Sequence, residues 1–395
     1  MWSKNTEMGK EQRTSKQETR LRRARIEKGW TLQEASKKVG VSLATYRRWE
    51  AGLQKPHLFS LDVLCAVFGM TKEELGFADL TVDEEVATEK DAHTSQETLS
   101  LEALLANWSQ GIAACWQAYM AGAQADLERL LPTYFAHLTH PTLSPGPYQQ
   151  QAAGLLAQVY QLRALLELQH GDFLAAQQNG TQAVVYSQLA QDGNLYAAAQ
   201  LRLASIFTAW KRPGAALSAY TEVLRCAHER VYEISPLVRS WAHAGLAELL
   251  ASMGRDEALQ SLEAALLFFP ETPQEDPSYA YTLCDESLLS LCEGRMFLRI
   301  GRPQEAWEAL AHIDEMKPAP LERMRAEILR EKAYIACVLG KMIQSCIYLE
   351  AAAIAAGEMQ SDLNIGETYA LFEHMLALWG QEPRVRSLAQ LFQQR

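Results

Sequence analysis

The sequence predicts an all-α protein in two parts: five short helices over residues 19–76 and about seven antiparallel helix pairs over residues 101–395. Three observations predict this. Apolar residues recur at helical spacing almost throughout, with little of the β-branched alternation that strands require. The short apolar pieces of the first part start after Thr31, Ser42, Ser60 and Thr71 and stop at Gly29, Gly40, Gly52 and Gly69, the residue types that cap helices at the two ends. In the second part, long Ala- and Leu-rich stretches are interrupted by glycine about every forty residues, a repeat period.

Composition sets the boundaries of function. With 395 residues, 48% of them apolar, the chain can bury more than one core. It has no apolar run of membrane-spanning length, and its first residues, MWSKNTEMGKEQRTSKQ, lack the apolar region of a signal peptide. The expectation is a cytoplasmic protein with no membrane partner. Seven cysteines, an odd number without a C-x-x-C pair, read as small core residues in a reducing compartment. The charge is divided: residues 1–60 carry 14 Lys+Arg against 6 Asp+Glu, a net of +8, which leaves -19 on residues 61–395 of a chain whose total is -11. A small basic module joined to an acidic one is the electrostatic footprint of a nucleic-acid binder, and the implied partner is double-stranded DNA.

Residues 1–18 read as a polar arm, and the five helices follow as ETRLRRARIEKG, TLQEASKKVG, SLATYRRWEAG, SLDVLCAVFG and TKEELGF. Helices two and three meet at Gly40-Val41-Ser42, the spacing of a helix-turn-helix. On the third helix Tyr46 and Trp49, one turn apart, would pack inward and leave Leu43, Ala44, Arg47 and Arg48 facing out. Such a helix enters the major groove, where arginine bonds guanine in bidentate fashion and small apolar groups touch thymine methyls. The candidate DNA contacts are therefore Leu43, Ala44, Thr45, Arg47 and Arg48, with Lys38 and Lys55 on phosphates.

Leu21, Arg25, Ile26, Gly29, Val39, Gly40, Ser42, Tyr46, Trp49, Glu50, Gly52, Pro56 and Leu64 resemble the Xre/Cro family of phage-repressor-like (lambda-repressor-like) DNA-binding domains. The resemblance implies an ion pair between Arg25 and Glu50. Two positions depart from the pattern: Ala35-Ser36 replaces a Leu-Ala pair, which would thin the core, and Leu32 replaces a polar residue that often opens helix two.

Residues 77–100, acidic and poor in large apolar side chains, read as a linker. Beyond it the turns between paired helices are placed at Gly122, Gly171, Gly214, Gly254, Gly301, Gly340 and Gly380. In residues 287–318, Gly294, Phe297, Gly301, Ala306, Leu310, Ile313 and Pro318 resemble a tetratricopeptide (TPR) repeat, in which small residues let two helices approach, an aromatic fills the angle between them and proline ends the second. The resemblance implies a concave groove that holds a peptide or partner segment. Its candidate lining is Gln161, Trp241, Glu248, Arg295, Arg299, Glu327, Arg330 and Tyr334.

Catalytic and metal motifs are absent. His228-Glu229 opens like a zinc-protease motif, but Tyr232 stands where the second ligand belongs, and no phosphate-binding glycine loop or nucleophile elbow occurs. No cofactor, metal or catalytic residue is expected. The joint architecture resembles the RRNPP group of bacterial regulators, which implies a homodimer that reads an operator and senses a signalling peptide in its TPR domain. The alternative is a TPR interaction scaffold with no small-peptide ligand.

Overall fold

A computed structural model of the chain describes residues 19–39, 43–51, 56, 64–65, 67–72, 74–77, 100–282, 284–313 and 320–392. The polar arm, the turn at 40–42, Lys55, most of the linker and Pro318 lie outside the described residues. The chain divides into two compact units, 1–96 and 97–395.

In the first unit the structure has helices α1 (Arg20–Glu27), α2 (Leu32–Val39) and α3 (Leu43–Glu50). Thr31 and Glu34 cap α2 reciprocally: the Thr31 amide donates to Glu34 Oε2 at 2.8 Å, and the Glu34 amide to Thr31 Oγ1 at 3.2 Å. Thr71 and Glu74 repeat the device, although the fifth element is a single turn among the described residues. Leu21, Ala24, Ala35, Val39, Tyr46, Trp49, Leu64, Phe68 and Leu75 make the core. Ser36 is buried with its hydroxyl donating to the Gln33 carbonyl at 3.0 Å, so the small pair at 35–36 is accommodated without an orphaned polar atom.

The second unit is a stack of helix pairs. These are α4 (Leu101–Met120) with α5 (Gln124–Leu143), α6 (Gln149–Gln169) with α7 (Phe173–Ala190), α8 (Gly193–Ala209) with α9 (Pro213–His228), and α10 (Pro236–Ser252) with α11 (Ala258–Phe268). After the short α12 (Tyr279–Thr282) come α13 (Glu286–Arg299) with α14 (Pro303–Ile313), α15 (Glu322–Val338) with α16 (Met342–Glu358), and α17 (Asp362–Trp379) with α18 (Pro383–Ser387). Each pair is joined by a tight turn at the predicted place, but two turns differ in detail. In the third, Lys211 takes the left-handed conformation (φ 58°) while Gly214 lies inside α9, because Pro213 already sets the first helical turn. In the last, Gly380 keeps a helical φ of -63° as the C-cap of α17.

Small residues set how closely the helices approach. The absent side chain of Gly294 faces Leu310 across the α13–α14 pair, as the repeat pattern requires. At Gly245 a Cβ would lie 2.5 Å from the Tyr220 hydroxyl, so glycine is what lets α9 and α10 meet there.

The stack curves until its first pairs touch its last. Arg323 Nε of α15 donates to the Tyr119 carbonyl at the end of α4 (2.9 Å). Gln169 Oε1 of α6 accepts from Ser361 Oγ (2.6 Å) and from Asn364 Nδ2 of α17 (3.2 Å). All of these side chains are buried. A Cβ on Gly122 would lie 2.6 Å from Met359 Cγ, which closes the same seam from the turn side.

Gly245→Ala is expected to destabilise the second unit by about 1–3 kcal/mol through overpacking, even though alanine favours helix by roughly 0.5–1 kcal/mol. Urea unfolding of the full chain checks this. Tyr220→Phe/Gly245→Ala should recover part of the loss, since it removes the atom in closest conflict.

Candidate nucleic-acid interface and interior site

The outward face of α3 is set by what its other face buries. Tyr46 and Trp49 are 0% and 3% exposed, which turns Arg47 and Arg48 to solvent and leaves Leu43 half-buried. The side chains of Ala44 and Thr45 lie outside the described residues. Lys38 is exposed on α2, with Nζ 5.0 Å from the centre of the Trp30 ring.

This face is held by the pairing of Arg25 with Glu50. Arg25 Nε donates to Glu50 Oε1 at 2.5 Å and Nη2 to Oε2 at 3.2 Å, while Nη1 donates to the Trp30 carbonyl at 2.7 Å. The side chains are 12% and 7% exposed. The bidentate bond to Glu50 raises the proton affinity of the guanidinium. Thr19 Oγ1 donates to the Glu50 carbonyl at 2.7 Å, tying the start of α1 to the same helix end.

Inside the second unit the sequence-predicted residues fall into three settings. Glu248, Arg295 and Glu327 come together: the Arg295 guanidinium lies 3.8 Å from Glu248, 3.1 Å from Glu327 and 3.3 Å from Glu331. Three carboxylates around one guanidinium cannot all be equally stabilised. Burial holds the Glu248 carboxyl above its ordinary range, with Arg295 offsetting only part of the effect. Burial also opposes ionisation of Glu327, but Arg295, Arg330 and Arg323 outweigh it and bring its carboxyl below the ordinary value. Arg330 reaches Asn364 (2.7 Å) and Glu367 (2.5 Å), next to the seam. Arg299 and Tyr334 are exposed on their helices.

Gln161 does not line a groove. It is fully buried and neither amide atom has a hydrogen-bond partner, because α6 is packed against α4, α5, α7, α8 and α17 and has no open face at that point. Trp241 is buried beneath Arg202, a residue the sequence reading missed. The Arg202 guanidinium lies 4.6 Å from the Trp241 ring centre and 5.3 Å from that of Trp116, and its Nη2 donates to the carbonyls of Tyr281 (3.2 Å) and Thr282 (3.4 Å). Arg323, also missed, stacks on the Tyr119 ring at 3.9 Å. A single arginine inside the apolar run AAAQLRLASIF was the available signal for Arg202. Among the described residues no group of His, Cys, Asp and Glu could hold a metal ion, and no helix is long and apolar enough to cross a membrane.

Residues 21–75 match the helix-turn-helix family HTH_3. The first unit is a helix-turn-helix domain. The chain is similar to the HTH-type transcriptional regulator AnsR of Bacillus subtilis, with 31% identity over 90 residues that make up 23% of this chain and 66% of the relative, just under two thirds of its length. Among solved structures the chain is similar to a Rap protein crystallised with competence and sporulation factor, with 17% identity and a TM-score of 0.46 over 73% of this chain and 84% of that one.

Two outcomes are expected. Glu50→Ala should destabilise the helix-turn-helix domain by about 3 kcal/mol, because it strands a buried guanidinium, and Arg25→Met/Glu50→Leu should lose less; differential unfolding of the full chain separates the two. At pH 7, Glu327→Gln should cost about 1 kcal/mol, given its partial exposure, whereas Glu248→Gln should leave stability unchanged or raise it. The sign follows from the shifts. The folded carboxyl of Glu327 titrates below its unfolded value, so its contribution is present at neutral pH and is lost as pH falls through the folded value. The carboxyl of Glu248 is raised, so its ionised form opposes folding at pH 7 and the opposition disappears on acidification.

Proposed function

We propose that this chain is a sequence-specific DNA-binding transcription regulator of the cytoplasm, in which the helix-turn-helix domain reads an operator and the repeat domain dimerises and holds a peptide or partner segment. The observation that carries the reading is the exposure of Arg47 and Arg48 on α3, a helix whose opposite face is locked by Tyr46, Trp49 and the Arg25–Glu50 pair. A rigid helix with two free-standing guanidiniums supplies what major-groove readout needs: donors whose position is fixed before DNA arrives. Leu43, Ala44 and Thr45 lie at the N-terminal end of the same helix, the end that approaches base edges in this motif. Lys38 and Lys55 are assigned to phosphates.

The repeat domain supports the second half of the reading. The net charge of residues 101–395, 21 Lys+Arg against 32 Asp+Glu or -11, repels DNA, which leaves nucleic-acid contact to the basic head. Its interior gathers charged side chains from several pairs into one region, an arrangement suited to a ligand that the exterior does not bind. Two heads are needed because one helix-turn-helix offers too little surface for selective binding at physiological salt.

The test starts with an operator selected from random DNA by the full chain. Arg48→Ala should then cost about 1–3 kcal/mol on that operator and relax preference at one base position, while leaving affinity for scrambled DNA nearly unchanged. Equal losses on both DNAs would make Arg48 a phosphate contact and move base reading to Leu43, Ala44 and Arg47. Failure to select any sequence would overturn the reading.

A further inference from the structure

Several arginines that the second unit draws inward pair with a carboxylate: Arg295 has Glu248, Glu327 and Glu331, and Arg330 has Glu367. Arg202 and Arg323 make no such ion pair among the described residues, although Glu327 is near enough to Arg323 to feel its charge. Arg202 has two main-chain carbonyls and the faces of Trp116 and Trp241, and its Nε is buried without a hydrogen-bond partner. Arg323 is 3% exposed, spends Nε on the Tyr119 carbonyl, and keeps Nη1 and Nη2 buried without partners. The two are neighbours across Tyr119. Arg323 covers its ring, and the Tyr119 phenol is near enough to Arg202 to act on its charge.

The bland account is that aromatic faces and carbonyl dipoles satisfy these cations. They do so only in part. A cation over an aromatic ring gains about 2 kcal/mol when desolvated, against several kcal/mol for removing the charge from water. Burial accordingly pulls the Arg202 guanidinium down to about 10, a large displacement for an arginine. Arg202 is nevertheless only half-buried, so an incoming group would approach from its side, with the buried Arg323 behind it. Residues from α4, α8, α10 and α15, drawn from four different helix pairs, converge there. In a stack where each pair chiefly meets its neighbours, such convergence marks the interior of the curve.

We propose that Arg202 and Arg323 form the binding site for a small oxyanion, the carboxylate or phosphate group of a ligand that enters the interior of the repeat domain. The ligand's charge would complete what the protein leaves unpaired, and the paired N–H groups of guanidinium match the geometry of both oxyanions. The aromatic walls of Trp116 and Trp241 exclude water and strengthen the bond. A domain that is acidic overall repels anions from its exterior, so the site selects for a ligand that also fits the interior. The proposal concerns the anionic group alone and holds whether the ligand is a peptide or another metabolite.

The test is thermal unfolding of the full chain in sodium phosphate, in sodium acetate and in sodium chloride at matched ionic strength, for the wild type and for Arg202→Gln and Arg323→Gln. Phosphate stabilises many proteins by exclusion from their surface, so the quantity that matters is the stabilisation lost in the variants. The expected result is a rise over chloride in at least one oxyanion, with affinity reduced by about tenfold or more in each variant. A rise in acetate assigns a carboxylate ligand, and a rise in phosphate alone assigns a phosphorylated one. Tetra-alanine as the free acid and as the C-terminal amide then tests the peptide source: stabilisation by the acid alone assigns a peptide carboxylate, and stabilisation by neither assigns a non-peptide ligand. Arg202→Gln is itself expected to unfold at the same or a higher temperature in chloride, because it removes an uncompensated charge. If the wild type shows no rise over chloride, or both variants keep it in full, the site does not exist. Should one variant fail to fold, the other decides alone.

Discussion

Closure of the repeat stack, through Gln169 against Ser361 and Asn364 and through Arg323 against the end of α4, is the constraint on which the interior depends. An open array of helix pairs leaves its concave face to water, where charged side chains cost little and specify little. Here α4 and α6 are held against α15 and α17 by buried polar groups, and an apolar seam could slide where this one cannot. The seam brings Tyr119 beside Arg323, on the same helix α4 that carries Trp116 over Arg202.

The two units solve the problem of placing charge in opposite ways. In the helix-turn-helix domain one buried pair, Arg25 with Glu50, is fully complementary and frees Arg47 and Arg48 to face outward on a fixed frame. In the repeat domain complementarity is incomplete: three carboxylates share Arg295, while Arg202 and Arg323 keep guanidinium nitrogens buried without partners. A structure selected for stability alone would fill these positions with apolar residues of similar volume, which are often neutral or better in buried sites. The imbalance is the feature on which the proposed oxyanion site rests.

Much of the architecture was legible because it is local. Capping residues, glycine turns and the forty-residue period act within a few neighbours, so Gly122, Gly171, Gly254, Gly301 and Gly340 all take the left-handed turn that their spacing implied. Gly214 misled because the proline before it had already begun the next helix. The Arg25–Glu50 pair was legible from the family resemblance, and the inward turn of Tyr46 and Trp49 from helical spacing alone. The interior was less so. Gln161 sits on a helix packed against five others, which periodicity cannot distinguish from one with an open face at that point. Arg202 and Arg323 take their meaning from Trp116 and Tyr119, residues distant in the chain, and pair spacing carries no information about contacts made by the curvature of a whole stack.

The seam also bears on the order in which the protein can come into being. A linear array can fold pair by pair as it leaves the ribosome, each new unit docking on the last. The bonds from Arg323 to Tyr119 and from Ser361 to Gln169 span 204 and 192 residues, so the early pairs must wait for nearly the whole chain before their polar edges are satisfied. During synthesis those edges, Gln169 among them, stay hydrated and the nascent repeats remain an open arc; the closed interior is the last thing to form, and a truncated chain would have pairs but no interior.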